Sequence, residues 1–376
     1  MPAGSTASGR TIRHLYFHIP FCPKLCPYCC FYVETGARNK NTDFIEALLA
    51  DVRRAGEDYD LRPRTIYFGG GTPSALLEDQ LAMLLGGLRE ILDCSELVEF
   101  SLEANPATVR PSKARLLREH GVSRVSLGVQ SWDDALLKTL GRVHTAAAAE
   151  KTYETLREAG IPAVNLDLMF SVPGQTEAQW HATLEKTIAL QSDHISTYCL
   201  TYEEDTEYFR KLTGGTFVQD IELDARLFEY TMERLGDAGF SQYEISNHAR
   251  PGCESQHNKA YWLGSDYLGF GPSAFSTVGL KRWENIRNTA EYTSRVLGGK
   301  SAAEFREELT PAQRAGETAA FRIRMSEGIP LPELAPWKDE IERFVSIGLV
   351  EHVDQSVRLT TRGKLLADSV AEIFIA

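Results

Sequence analysis

Cys22, Cys26 and Cys29 stand in a C-x3-C-x2-C spacing within Phe21-Cys-Pro-Lys-Leu-Cys-Pro-Tyr-Cys-Cys-Phe31. Three thiolates so spaced can wrap one face of a cubane iron–sulfur cluster. Three ligands on four irons leave one iron open to an outside ligand, unlike the four-cysteine clusters that carry electrons. A structural zinc site would usually add a second Cys or His pair downstream, and none follows at such a spacing. The remaining cysteines are Cys30, Cys94, Cys199 and Cys253, so four of the seven fall within nine residues. A secreted disulfide framework spreads and pairs its cysteines, and this chain does neither, which points to metal or redox chemistry in a reducing compartment. Cys30 reads as a bystander, because adjacent residues rarely both reach one cluster; the alternative is a thiol facing a substrate.

Further polar residues follow short apolar runs. Gly69-Gly70-Gly71-Thr72-Pro73-Ser74 comes after Thr65–Phe68. Consecutive glycines let backbone approach a ligand closely and adopt positive φ, although a plain turn fits the same residues. Glu103 lies in Ser-Leu-Glu-Ala-Asn-Pro, Gln130 in Gly-Val-Gln-Ser, Arg142 in Leu-Gly-Arg-Val-His and Asp167 in Asn-Leu-Asp-Leu-Met. A carboxylate suits ribose hydroxyls or an ammonium, and a guanidinium suits a carboxylate through paired hydrogen bonds. Each of the four could also be an ordinary polar residue at a strand end.

Regular elements must hold these groups. Residues 12–18 read as a buried strand running into the cysteine loop. Phe44, Ile45, Leu48, Leu49 and Val52 recur at helical spacing over about 41–57. Strands are expected at 65–68, 97–102, 123–128, 163–168 and 193–199. Helices are expected near 78–92, 111–119, 133–139, 146–159 and 177–190. Six strands alternating with helices imply a parallel sheet with right-handed crossovers. Six units fall short of the eight of a closed barrel, so the expected fold is α/β, a partial (β/α)6 barrel over 11–205. Such folds build their sites at the C-terminal ends of the strands, where the polar residues above fall.

Beyond 205 the alternation weakens. A helix over 221–238, a strand over 243–246 and a recognition loop over 247–282 are expected, with 206–300 as an extension of the barrel. Residues 301–376 read as a C-terminal winged-helix-like α+β domain, with a hairpin of 348–352 and 356–360 and a helix over 362–374. Residues 1–10 read as a frayed tail. Lys+Arg 40 against Asp+Glu 52 gives a net charge of −12, which argues against a broad nucleic-acid face. No run approaches the roughly 18 apolar residues of a membrane span, and the first residues lack the apolar core of a signal peptide. The expectation is a cytoplasmic protein with at most peripheral membrane contact and no nucleic-acid partner.

With these motifs in place the chain resembles the radical SAM superfamily, whose cluster motif is C-x3-C-x2-C, and within it the coproporphyrinogen-oxidase-like branch. The resemblance covers nearly the whole chain, through His18–Cys22, Gly69–Ser74, Gly128–Ser131, Leu140–Arg142, Pro173–Thr176, Tyr243–Asn247, His257–Trp262, Tyr267–Gly271 and Leu359–Gly363. It implies a [4Fe–4S] cluster on Cys22, Cys26 and Cys29, with S-adenosylmethionine (SAM) chelated to the open iron and cleaved by one electron to a 5′-deoxyadenosyl radical. It implies that Gly70, Gly71 and Thr72 hold the SAM amino group and that Tyr28 packs near the adenine. Tyr16, Glu103, Gln130, Arg142 and Asp167 match further SAM-binding positions.

Within that branch the chain looks most like a haem-chaperone group. Porphyrinogen dehydrogenases of the branch carry another cysteine two positions after the third cluster ligand, where this chain has Phe31. They also carry a longer segment before the cluster loop. His257-Asn258-x-x-Tyr261-Trp262 matches the group's HNxxYW motif, which implies haem at His257; a neutral imidazole is a good axial ligand. The other reading is that His257 and Asn258 cap a turn while the aromatics close the barrel. His248 and Cys253 are near enough in sequence to compete as ligands. Gly271–Phe275 and Cys30 depart from the group's pattern. Implied partners are haem or a porphyrin-like molecule, a haem-accepting respiratory protein, a flavodoxin or ferredoxin as electron donor, and a second copy in a homodimer. The alternative is a radical SAM enzyme, either a porphyrinogen dehydrogenase or a methyltransferase.

Overall fold

Alternation with period two sorts the strand side chains onto two faces. Along Thr11–Ile19 (β1), Leu15, Phe17 and Ile19 are buried among apolar residues, while His14, Tyr16 and His18 take the opposite face. The same division runs through Asp60–Gly70 (β2), Glu99–Ala104 (β3), Arg124–Gln130 (β4), Ala163–Phe170 (β5) and His194–Cys199 (β6). Ile66, Phe68, Leu102, Leu127, Leu166 and Ile195 join one core. Tyr67, Glu103, Ser126, Asn165, Asp167 and Ser196 meet one another across the strands on the other side. The structure, a computed structural model, describes residues 9–35 and 38–375, the side chains of 38–40 excepted.

β1 to β6 pair in parallel and in sequence order, which is the expected arrangement of six βα units. The connecting helices are α1 (Arg38–Asp58), α2 (Glu78–Ile91), α3 (Pro111–Glu119), α4 (Asp134–Thr139), α5 (Ala146–Glu158) and α6 (Glu177–Ala189). Phe44, Ile45, Leu48 and Val52 of α1 pack into the same core as the strands' apolar face. Helix starts are set locally: Thr176 and Gln179 form a reciprocal capping box on α6, and Pro111 opens α3.

The chain after β6 extends the sheet at both edges. Helices α7 (Glu207–Thr213) and α8 (Ile221–Asp237) lead to β7 (Ser241–Gln242) and β8 (Asn247–Ala249), and β8 lies antiparallel on β6. After α9 (Gln256–Trp262), β9 (Leu268–Phe270) runs parallel to β1. The result is nine strands in the order β7-β8-β6-β5-β4-β3-β2-β1-β9. Two expectations change here. Residues 243–246 form the turn between β7 and β8 rather than a strand, with Glu244 bridging to Met325. The stretch 247–282 is largely regular, because its aromatic residues pack into the sheet and around α9.

β10 (Phe275–Val278), β11 (Lys281–Asn285) and β12 (Ala303–Glu308) form a separate antiparallel sheet, with α10 (Thr289–Leu297) between the last two. The boundary expected at 300/301 therefore falls inside a sheet. The C-terminal unit starts at α11 (Pro311–Arg322) and adds β13 (Ile329–Pro330), α12 (Lys338–Ser346), β14 (Val350–Val353), β15 (Ser356–Leu359), α13 (Thr361–Leu365) and α14 (Ala367–Ala371) around its own apolar core. The hairpin is as expected, but the helix over 362–374 breaks at Leu366, which leaves helical geometry. Ile245 packs against both cores. Of the expected tail over 1–10, residues 1–8 lie outside the described residues, and Arg10 is tied to Asp266 by a 2.5 Å ion pair.

Candidate cluster and cofactor site

The cysteine loop leaves the C-terminal end of β1 and is closed at its base. Cys22 N–H donates to Glu34 C=O at 2.9 Å, and Glu34 N–H returns to Pro20 C=O at 2.8 Å. His18 Nε2 reaches the Tyr32 carbonyl at 2.8 Å while its Nδ1 lies 3.1 Å from the Tyr16 hydroxyl. A carbonyl only accepts, so Nε2 carries the proton and Tyr16 donates to Nδ1. Cys22, Cys26 and Cys29 are partly buried on this loop and Cys30 is exposed. Burial raises the thiols of Cys22 and Cys29, the latter to about 11, so a metal binding there must displace protons. Among the described residues no three His, Cys, Asp or Glu side chains stand close enough to share one metal ion.

The glycine loop packs directly on the cysteine loop. Gly71 and Thr72 N–H groups donate to Ile19 and Phe21 carbonyls, each at 2.9 Å, and Thr72 Oγ1 lies 3.3 Å from Cys22 Sγ. Gly70 has φ +101°, and a Cβ there would stand 2.5 Å from the His18 ring. Only glycine fits that contact and that conformation. The buried ammonium of Lys113, on α3, donates to Ser74 and Leu76 carbonyls at 2.6 and 2.8 Å and holds the far side of the turn.

Arg142 comes in beside the second cysteine. Its Nη1 lies 3.7 Å from Cys26 Sγ and its Nη2 2.9 Å from Gly128 C=O, while Nε is buried without a partner. Gln130, at the end of β4, has φ +67° and a buried, unpartnered Oε1. Tyr28 packs on Leu136, Leu140 and Val172, and burial raises its hydroxyl. Glu103 accepts from the Tyr67 hydroxyl at 2.8 Å, and Tyr16 stacks on Tyr67 with centroids 6.2 Å apart. Asp167 accepts from Ser126 at 3.0 Å and from Asn165 Nδ2 at 2.6 Å. Burial pushes Glu103 up to about 7 and raises Asp167.

All nine residues expected to contact SAM thus lie at or beside the C-terminal ends of β1 to β5. The residues present fit the expected groups: a loop of three thiols, a glycine turn packed closely on it, and unpaired polar atoms on Gln130 and Arg142. The sequence reading missed Tyr67, Ser126, Lys113 and Tyr198, a ring at the end of β6 that is 39% exposed. Tyr67 and Ser126 were readable from strand alternation, two positions before Gly69 and Gly128. Lys113 offered no such signal.

His257 is elsewhere. It is 1% exposed, with Nδ1 2.7 Å from Thr65 Oγ1 and its ring stacked on Tyr67 at 5.0 Å. Burial lowers it to about 3. The start of α9 is fixed by Glu99, which accepts from Ser255 Oγ at 3.2 Å and from Gln256 and His257 N–H at 2.9 and 3.1 Å. The free Nε2 is buried. The motif packs His257 against Thr65 and Tyr67 on the polar face of the sheet. His248 is likewise fully buried.

These strand ends and loops belong to a radical SAM domain: residues 16–187 match the Radical SAM superfamily and residues 309–366 the HemN C-terminal domain. Heme chaperone HemW of Bacillus subtilis (strain 168) is 31% identical over 97% of this chain and 99% of its own. The Mycobacterium tuberculosis (strain ATCC 25618 / H37Rv) heme chaperone HemW is 34% identical over 96% and 94%. The structure of coproporphyrinogen III oxidase (HemN) from Escherichia coli, a radical SAM enzyme, superposes with a TM-score of 0.85 at 22% identity, covering 99% of this chain and 92% of that one, and shares its fold. The chain belongs to the HemW family of the radical SAM superfamily.

Proposed function

We propose that this protein holds a [4Fe–4S] cluster on Cys22, Cys26 and Cys29, binds SAM at the C-terminal ends of the strands, and serves as a haem chaperone. The observation that carries the cofactor reading is that two separate strand-end groups reach the cysteine sulfurs, Thr72 at Cys22 and Arg142 at Cys26. When bound, the cluster would supply SAM with a single low-potential electron. Gly70, Gly71 and Thr72 offer close backbone to an amino acid moiety, Arg142 offers a cation for its carboxylate, and Glu103 and Asp167 offer acceptors for ribose hydroxyls or the ammonium. Tyr28 and Tyr16 give flat walls. The haem reading is supported by the names of the relatives, and His257, whose Nε2 is buried, would have to be uncovered to serve as its ligand. Haem-accepting respiratory proteins, a flavodoxin- or ferredoxin-like donor, a homodimer and a cytoplasmic location belong to the same proposal. Among the described residues no helix is long and apolar enough to cross a membrane.

The test is anaerobic reconstitution with iron and sulfide, followed by haem titration with and without SAM. A four-iron EPR signal after dithionite that changes on adding SAM, together with stoichiometric haem binding, is the expected result. No four-iron signal would end the cofactor reading. A cluster with no haem affinity, but with 5′-deoxyadenosine and a changed porphyrin as products, would replace carriage by catalysis.

A further inference from the structure

The end of β4 rests on a buried histidine that plays no part in the site as described so far. Val129 C=O accepts the Ser131 N–H at 2.9 Å, a bond that spans a single residue, Gln130, with its φ of +67°. Three-residue turns of positive φ are rare and strained. The turn coincides with a register slip against β5, where Gly128 stands opposite Asp167 and Gln130 opposite Leu168. The carbonyls of Gly128 and Val129 also take side-chain donors: Arg142 Nη2 at 2.9 Å on the first and His144 Nε2 at 3.1 Å on the second. His144 is 5% exposed, and its Nδ1 is buried without a partner. Since a carbonyl accepts only, Nε2 bears the ring's proton and Nδ1 is bare. Burial, with Arg142 close by, keeps the ring neutral. Gln130 Nε2 and Arg142 Nη2 lie together over Gly128, where a Cβ would stand 3.0 and 3.3 Å from them.

We propose that His144 is a positioning residue of this pocket: by holding the Val129 carbonyl it keeps Gln130 in its strained turn, with the carboxamide beside the Arg142 guanidinium. The inference rests on the reading of the pocket as a SAM site. Polar readout of a ligand by Gln130 then depends on a ring that never touches that ligand.

The experiment uses the full chain, anaerobically reconstituted, as parent, H144L, H144N, H144Q, Q130A and H144L/Q130A. Cluster iron content, the SAM dissociation constant and the SAM-induced change in the reduced-cluster EPR spectrum are measured for each. H144L should keep its iron and bind SAM about tenfold more weakly, the worth of one hydrogen bond. H144Q, whose amide can still donate, should stay within about threefold. H144L/Q130A should bind no more weakly than Q130A, because both changes remove one contact. H144N, too short to reach Val129, repeats the H144L result if the leucine variant does not fold. SAM binding by both removal variants equal to the parent's, or strictly additive losses in the double variant, would overturn the role of His144 alone. A parent with a four-iron cluster and no SAM affinity would overturn the pocket reading, and the inference with it.

Discussion

The hydroxyl of Tyr67 donates to the carboxyl of Glu103 at 2.8 Å on the concave face of the sheet. Burial nevertheless dominates and pushes that carboxyl from 4.5 up to about 7, with the Asp167 charge adding to the shift. Between those values the folded state keeps a proton that the unfolded chain has released. Glu103 therefore contributes stability that is fully present below about 4.5 and is lost as pH rises through 7. Glu244 is pushed up to about 7 by burial and acts in the same direction. The buried His257, held down at about 3, acts in the opposite one. The informative quantity is thus a difference. In urea unfolding of ligand-free protein, the parent should lose stability relative to Glu103→Gln between pH 5 and 7. Parallel pH profiles would mean that Glu103 is ionised throughout.

Lys113 is the clamp on the glycine loop. Its ammonium is buried and donates to two carbonyls, Ser74 and Leu76. Lys113→Met keeps the apolar stem and strands both acceptors, so it should lower stability by about 2–3 kcal/mol. Denaturant midpoints with an unchanged m-value are the check. A shift under about 0.5 kcal/mol would show that the turn finds other donors.

Glu99 ties α9 to the barrel. Beyond the three bonds to Ser255, Gln256 and His257, it pairs with Arg124 at 3.1 Å in a contact where both side chains are buried. Glu99→Ala leaves Arg124 without its carboxylate and should lower stability by about 3–5 kcal/mol. If His257 binds haem once α9 is released, the same variant should bind haem more tightly than the parent. Unchanged haem affinity would place the haem site away from α9.

His257→Ala follows from the same packing. It removes a ring stacked on Tyr67 and a hydrogen bond to Thr65, so the melting temperature should fall while haem affinity of the folded protein stays within about twofold. A tenfold loss of haem binding without destabilisation would show the reverse.

Much of the site was legible because its determinants are local. The cysteine spacing, the glycine run and the polar residue closing each strand depend on the chain within a few residues of each. β1 to β6 follow from short runs that alternate with helical segments, and α8 ends within one residue of its expected bounds. The enclosure of His257 was illegible for the opposite reason. Its surroundings come from Thr65 and Tyr67, about 190 residues away, and nothing in HNxxYW says that Glu99 draws the helix inward. β12 was assigned to the wrong unit because an exposed charged strand carries no apolar pattern to tie it to β11. Lys113 and His144 stayed invisible because each serves a carbonyl, and backbone acceptors leave no mark in a sequence.

β1 carries the cysteine loop, yet the strand that covers its outer edge, β9, arrives about 250 residues later. During synthesis the nascent chain presents its three thiols on an unfinished rim until that late segment has left the ribosome. Iron and sulfide delivered earlier would meet a loop whose foundation is still open on one side. The sheet edge beneath the cysteine loop is thus completed by the second half of the polypeptide.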